Sequence, residues 1–424
     1  MSGDEKEPTT GGTKDDRPEW LRAVYSPGDA MHPDDRVMAS LSVKVSGTGN
    51  NKKSEVIKNH HNTFTILEND ARWEGKIRFN EFSNRIEIDG HNHKDAHLCE
   101  VAMWIFRNYA FEPVMNMTHE AIRAVAQRHP FHPVRDYLNG LEWDGVSRLD
   151  TMLHRHLGAP DTHLNGVLGV RWAISCVARA MKPGCKVDTV MILVGKQGVK
   201  KSTWLNKLCS DPEWFSDSQI DMRTKDAYQT IQGKWIYEFP EMCSTRKSDN
   251  NSVKAFLSSR VDTFRPSYGR ETVSLPRQLV FVGSTNDAEF LTDPTGARRY
   301  WPVEVEAIDL DLVEAERDQL WAEAVQFYRQ GEQWWLADEE IEDLEVQLER
   351  YYQGDPWEEI IADYLIGKPE CTIAELLVEA LDKPKGSLHR GHLMQVGSIL
   401  RRLSWKKARV QSGGKRTWVW TRDE

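Results

Sequence analysis

The 424-residue sequence is short of cysteine, has no long apolar run, and carries no acid between residues 383 and 422. Each absence excludes something. The six cysteines (Cys99, Cys176, Cys185, Cys209, Cys243 and Cys371) form no Cys-x-x-Cys pair, so neither a zinc ribbon nor a disulfide framework is supported and a reducing compartment suits them. No stretch approaches the ~18 apolar residues of a membrane span. The opening MSGDEKEPTTGGTKDDRPEW lacks the basic start and apolar core of a signal peptide. The expectation is a cytoplasmic protein with no membrane partner.

The formal net charge of −10 argues at first against nucleic acid, but it averages unlike parts. Residues 304–382 hold 24 Asp/Glu against 4 Lys/Arg, whereas residues 383–422 hold 11 Lys/Arg. An asymmetry of that size points to segments with different partners.

Residues 1–18 are polar and read as a disordered tail. Residues 19–150 are expected to form a mixed α/β N-terminal domain, with strands at 76–80 and 85–89 and helices at 96–106 and 118–128. From 151 to 305 a helix (163–181), an apolar strand (189–194), a glycine-containing turn and a helix from Ser202 open a βα unit. Strands at 234–239 and 277–282 follow, with helical stretches near 224–231 and 249–258. Strands alternating with helices predict a parallel sheet. Residues 306–354 read as an acidic helical segment with Leu312, Leu320, Val325, Leu344 and Leu348 on one stripe. Residues 355–424 show three helices, at 357–366, from Thr372 (a capping box with Glu375) and at 387–403, then strands at 406–410 and 416–420. That is the order of a basic winged helix.

The strongest chemical signal is Gly195-Lys-Gln197-Gly198-Val199-Lys200-Lys201-Ser202-Thr203. A P-loop needs backbone N–H groups curled around phosphate oxygens, a Lys for the β/γ-phosphates and a Ser/Thr hydroxyl for Mg²⁺. Gly195, Lys201 and Ser202 stand at that spacing. Lys200 occupies the usual glycine position, which implies either an altered loop or a second cation by the phosphates. The strand end Trp235-Ile-Tyr-Glu238-Phe-Pro-Glu241 offers a carboxylate for the metal (Glu238) and one to orient water (Glu241), the reverse allocation being open. Asn286, after the third strand, is an amide that could meet the γ-phosphate.

These residues, with Leu138-Asn-Gly-Leu-Glu-Trp143-Asp144-Gly145, Phe264-Arg265-Pro-Ser-Tyr268-Gly269-Arg270 and Gly296-Ala-Arg298-Arg299-Tyr-Trp301-Pro, resemble the virulence-associated E family of phages and mobile elements. That family is similar to superfamily 3 helicases among AAA+ ATPases. The resemblance covers roughly residues 60–330. It implies an AAA+-like P-loop core using ATP and Mg²⁺, Glu238 and Glu241 as Walker B carboxylates, Asn286 as sensor 1, and a ring, hexameric in such families. An arginine from the neighbouring subunit would complete each site, with Arg298 and Arg299 preferred and Arg277 next.

The resemblance also implies a pore hairpin at 264–274, where Arg265, Tyr268 and Arg270 could grip single-stranded DNA without reading sequence. A second DNA surface is expected on the basic C-terminal segment: Arg390, Arg401, Arg402, Lys406, Lys407, Arg409, Lys415 and Arg416. The histidines at 60–61 and 91–97 have no cysteine partner and give little support to zinc. The reading is an ATP-dependent DNA helicase or translocase for phage or mobile-element replication, with priming left to a separate protein. Two alternatives stand: a slow, nucleotide-gated initiator or loader, and a defence or virulence ATPase acting on a protein target.

Overall fold

The computed structural model describes residues 34–48, 52–222, 224–240, 250–267, 271–291, 297–352, 355–384, 386, 389–412 and 415–422. The expected tail at 1–18, Glu241, Tyr268 and Arg270 lie outside these residues, as do the side chains of Arg390, Lys415 and Arg416.

The chain is mixed α/β around a parallel sheet. Five strands build it: β1 Val190–Val194, β2 Phe215–Ser216, β3 Ile236–Pro240, β4 Val280–Thr285 and β5 Tyr300–Glu304. Their spatial order is β5-β1-β4-β3-β2, with every pairing parallel. β1 is buried at all five positions, the continuous apolar pattern expected of a strand covered on both faces. Two strands were not evident in the sequence. β2 has only two residues, and β5 contains Pro302, which is tolerated because β5 is an edge strand. The strand expected at 277–282 begins instead at Val280, because Arg277 is turned into a buried ion pair with Asp262.

The helices His163–Met181 and Lys201–Leu208 flank β1 in sequence, and the acidic helices Leu310–Gln330 and Asp338–Leu348 join the same apolar cluster through Val313, Leu320, Trp321, Leu344 and Leu348. Their stripe is thus core except at Leu312, which is half-buried while the neighbouring Val313 takes the buried position. Glu323 is fully buried and accepts hydrogen bonds from the Ser147 hydroxyl (2.7 Å) and the Arg148 and Leu149 amides (2.8 and 3.0 Å). It thereby fastens the turn after Trp143 to the core.

Two further clusters have their own buried residues. One, from Val37 to Ala126, lies under the small sheet formed by Ile77–Asn80, Arg85–Ile88, His91–Asn92 and Pro130–Phe131. The other, from Ile361 to Trp420, joins helices Pro356–Leu365 and Arg390–Arg402 to a three-stranded sheet whose long hairpin is Trp405–Ser412 with Lys415–Arg422. The Thr372–Glu375 capping box closes reciprocally, at 2.7 and 3.2 Å.

Candidate phosphate-binding site

The site lies at the carboxyl ends of the parallel strands, where ligands of open α/β sheets bind. The chain leaves β1 at Gly195, where an added Cβ would stand 2.5 Å from the Val305 carbonyl oxygen; the chain just beyond β5 passes too close for any side chain. Gly198 has φ +86°. Lys200 caps the helix Lys201–Leu208 in the left-handed conformation, φ 69° and ψ 31°. The glycine-like backbone is therefore retained, the loop is not re-routed, and the exposed Lys200 side chain adds a cation beside it. No side chain caps this helix, so its first amides stay open to an anion.

Lys201 is buried. Its Nζ donates to the carbonyls of Gly195 (2.7 Å) and Lys196 (3.1 Å) and to Asn286 Oδ1 (3.1 Å). Burial lowers its pKa, opposed by the charge of Glu238. The lysine of the loop and the amide after β4 are thus in direct contact without ligand.

Glu238, on β3, has no exposed surface. Its Oε1 accepts a 2.6 Å hydrogen bond from the Ser284 hydroxyl, and its buried Oε2 has no hydrogen-bond partner among the described residues. Burial raises its pKa above the usual carboxylate range, while the Ser284 and Ser202 hydroxyls favour the ionised form. A buried carboxylate oxygen without a partner, beside the Ser202 hydroxyl, is a fitting donor set for hydrated Mg²⁺. Ser284 was not singled out from the sequence; the signal was a hydroxyl within the apolar run Val280-Phe-Val-Gly-Ser284. Gln197, Val199 and Thr203 lie on the same turn and its first helical residues, Gln197 and Thr203 exposed and Val199 half-buried.

The other candidates separate from this cluster. Arg298 and Arg299 precede β5, level with the start of β1, so the length of a five-residue strand, about 13 Å, divides them from their own loop. Arg277 is a correction: it is 1% exposed, pairs with Asp262 and donates to the Phe256 carbonyl, so it cannot reach out to a neighbour. The hairpin between β3 and β4 is present, pairing Val261–Phe264 with Val273–Pro276, and Arg265 is exposed just beyond its first strand.

In the C-terminal cluster, Arg402 is half-buried and has a partner within the unit. It is held by Glu358 at 2.7 and 3.0 Å, so its charge is matched inside the unit. Arg401, Lys406, Lys407 and Arg409 are exposed. Lys407 and Arg409 stand 4.6 and 5.5 Å from the Trp418 ring centre, and Trp418 is 53% exposed. His60 meets Glu120 at 2.8 Å, and among the described residues no three metal-ligating side chains gather. Among the same residues no helix is long and apolar enough to cross a membrane.

The virulence-associated protein E-like domain matches residues 138–353, half of the chain. No curated protein matches it. Of solved structures, the A form apo structure of the NrS-1 C-terminal region aligns over 87% of this chain and all of that one, at 12% identity and TM-score 0.46. A further apo structure of that region covers 82% and 96%, at 11% identity and TM-score 0.46. A point mutant of Thermotoga maritima RuvB covers 60% and 90%, at 12% identity and TM-score 0.22.

Proposed function

Because the chain belongs to the virulence-associated protein E-like family, we propose that it is a Mg²⁺-dependent ATP hydrolase of the AAA+ type that moves on or unwinds DNA in phage or mobile-element replication. The observation that carries the reading is the meeting of Lys201, Ser202, Glu238 and Asn286 at the carboxyl ends of the strands. The strand order supports it, since β4 brings Asn286 between the loop and the Glu238 strand.

In this reading the loop amides and Lys201 bind the β- and γ-phosphates, Lys201 exchanging its carbonyl partners for phosphate oxygens. Ser202 and Glu238 hold the metal, which when bound offsets the negative charge on those oxygens. Asn286, already on Lys201, is positioned to meet the γ-phosphate, and Glu241 is assigned to the attacking water. Arg298 and Arg299 lie too far to serve their own loop, which supports a role on the neighbouring subunit of a ring, a hexamer by family resemblance. DNA contacts fall to the hairpin residues Arg265, Tyr268 and Arg270, and to the C-terminal unit read as a winged helix. Priming belongs to a separate protein and the location is the cytoplasm.

The retained left-handed turn at Lys200 supports a hydrolysis-competent loop over the slow initiator alternative. The deciding experiment is ATP hydrolysis with and without single-stranded DNA, beside forked-duplex unwinding, with Lys201→Ala as control. DNA-stimulated hydrolysis and unwinding that vanish in Lys201→Ala are expected. Hydrolysis indifferent to DNA, with no unwinding, would sink the motor.

A further inference from the structure

A second gathering of cations and aromatic rings lies at the opposite end of the strands. Arg298, Arg299, Trp301, Trp334 and Trp335 line a cleft of about 460 Å³, within the ~300–1,000 Å³ usual for small-molecule sites. Trp301 is 1% exposed and its indole Nε1 is buried with no hydrogen-bond partner among the described residues. A donor left so is costly to bury, unless a ligand accepts from it. Arg299 Nε is also buried and unpartnered; the nearest carboxylate, Asp188, lies at 3.7 Å, near enough to attract but too far to hydrogen-bond. Lys186 stands off the same carboxylate at 3.7 Å. Two cations thus share one anion, and neither holds it closely.

The rings supply the other half. Trp335 is 54% exposed, edge-to-face with Trp334 (centroids 5.2 Å apart, planes at 82°). Trp334 is fixed by its indole N–H, which donates to the Lys186 carbonyl at 2.9 Å. A large ring held in place and left half in water is a platform for another flat ring.

We propose that this cleft binds a nucleoside phosphate, its base stacked on Trp335 and its phosphate on Arg298 and Arg299, with the Trp301 indole N–H donating to it. The nucleotide could be free, or be the one held in the phosphate loop of an adjoining copy. The second source rests on the ring reading above; the first does not.

The test uses the full chain, Mg²⁺ and a fluorescent N-methylanthraniloyl-ADP, with affinity and stoichiometry read by anisotropy. If the nucleotide is free, Lys201→Ala retains one site, and adding Trp335→Ala weakens it at least ~5-fold, the loss of one stacked base. If it belongs to the adjoining copy, Lys201→Ala loses binding, Trp335→Ala weakens it to the same degree, and mixing the two variants restores wild-type sites. Trp301→Phe, which keeps the ring and removes the donor, lowers affinity a few-fold in either case. Trp335 is half exposed, so its replacement does not threaten folding. Unchanged affinity and stoichiometry in both Trp335→Ala and Trp301→Phe overturn the proposal. Failure of the loop assignment looks different: Lys201→Ala would then keep a site indifferent to Trp335.

Discussion

Glu238 is the residue where burial and charge oppose each other most directly. Its carboxylate accepts from the Ser284 hydroxyl, lies beside the Ser202 hydroxyl, keeps one oxygen with no hydrogen-bond partner among the described residues and has no water-facing surface, and its pKa is raised by burial. The folded protein therefore holds this proton more tightly than the unfolded chain does. The stability it contributes is complete below the ordinary carboxylate range and is lost as pH rises through the raised native value. Glu238→Gln, which keeps the shape and stays neutral, should melt about 2–4 °C above wild type at pH 8 without nucleotide. The gain should shrink towards pH 5, and hydrolysis should be abolished. Thermal melts at the two pH values check this, and a variant no more stable than wild type at pH 8 refutes the burial account. Lys200 shows the same tension in the backbone. A non-glycine left-handed residue costs about 1–2 kcal/mol, yet its side chain puts a cation where phosphate is expected.

At the scale of elements, the hairpin after β3 is set by what grips its base. The buried Arg277 carries the Asp262 pair, a bond to the Phe256 carbonyl, and faces the Phe256 and Phe281 rings at 4.8 and 5.2 Å. Removing one partner of such a pair leaves an uncompensated buried charge, worth about 3–5 kcal/mol. Arg277→Ala should lose that much in urea unfolding, and Arg277→Lys should recover little, because an ammonium cannot reproduce the planar fork. Full recovery by lysine would show that only the charge matters. The helix His163–Met181 was legible in full from its apolar composition, and the strand, turn and helix around Gly195–Lys201 because they are contiguous in sequence. What sequence could not supply was long-range pairing. Ser284 reaches Glu238 across 46 residues, and Arg277, which reads as a surface cation, finds its carboxylate only when the hairpin closes. β5 was hidden by Pro302, whose cost disappears at a sheet edge that no local pattern announces.

For the whole molecule, the net charge of −10 conceals two surfaces with different duties. The acidic helices bury their apolar stripe in the main cluster, and two of their carboxylates act inward: Glu323 on the 147–149 turn, and Glu316 on Arg155 and His156 at 2.7 and 3.2 Å. That acidity is partly structural. In the basic C-terminal unit the reverse sorting occurs: Arg402 is neutralised by Glu358, while Lys407 and Arg409 flank the exposed Trp418. Cations around an exposed indole suit phosphates on either side of a stacked base. If so, the double variant Lys407→Ala/Arg409→Ala should flatten the dependence of log affinity for single-stranded DNA on log salt by about 1.4, at ~0.7 per phosphate contact. Trp418→Ala should weaken binding at every salt concentration without changing the slope. Arg402→Ala should leave the slope alone and lower the stability of the unit instead, since its charge already has a partner. Anisotropy titrations across a salt series separate the three, and equal slopes for wild type and the double variant would remove this face from the DNA path.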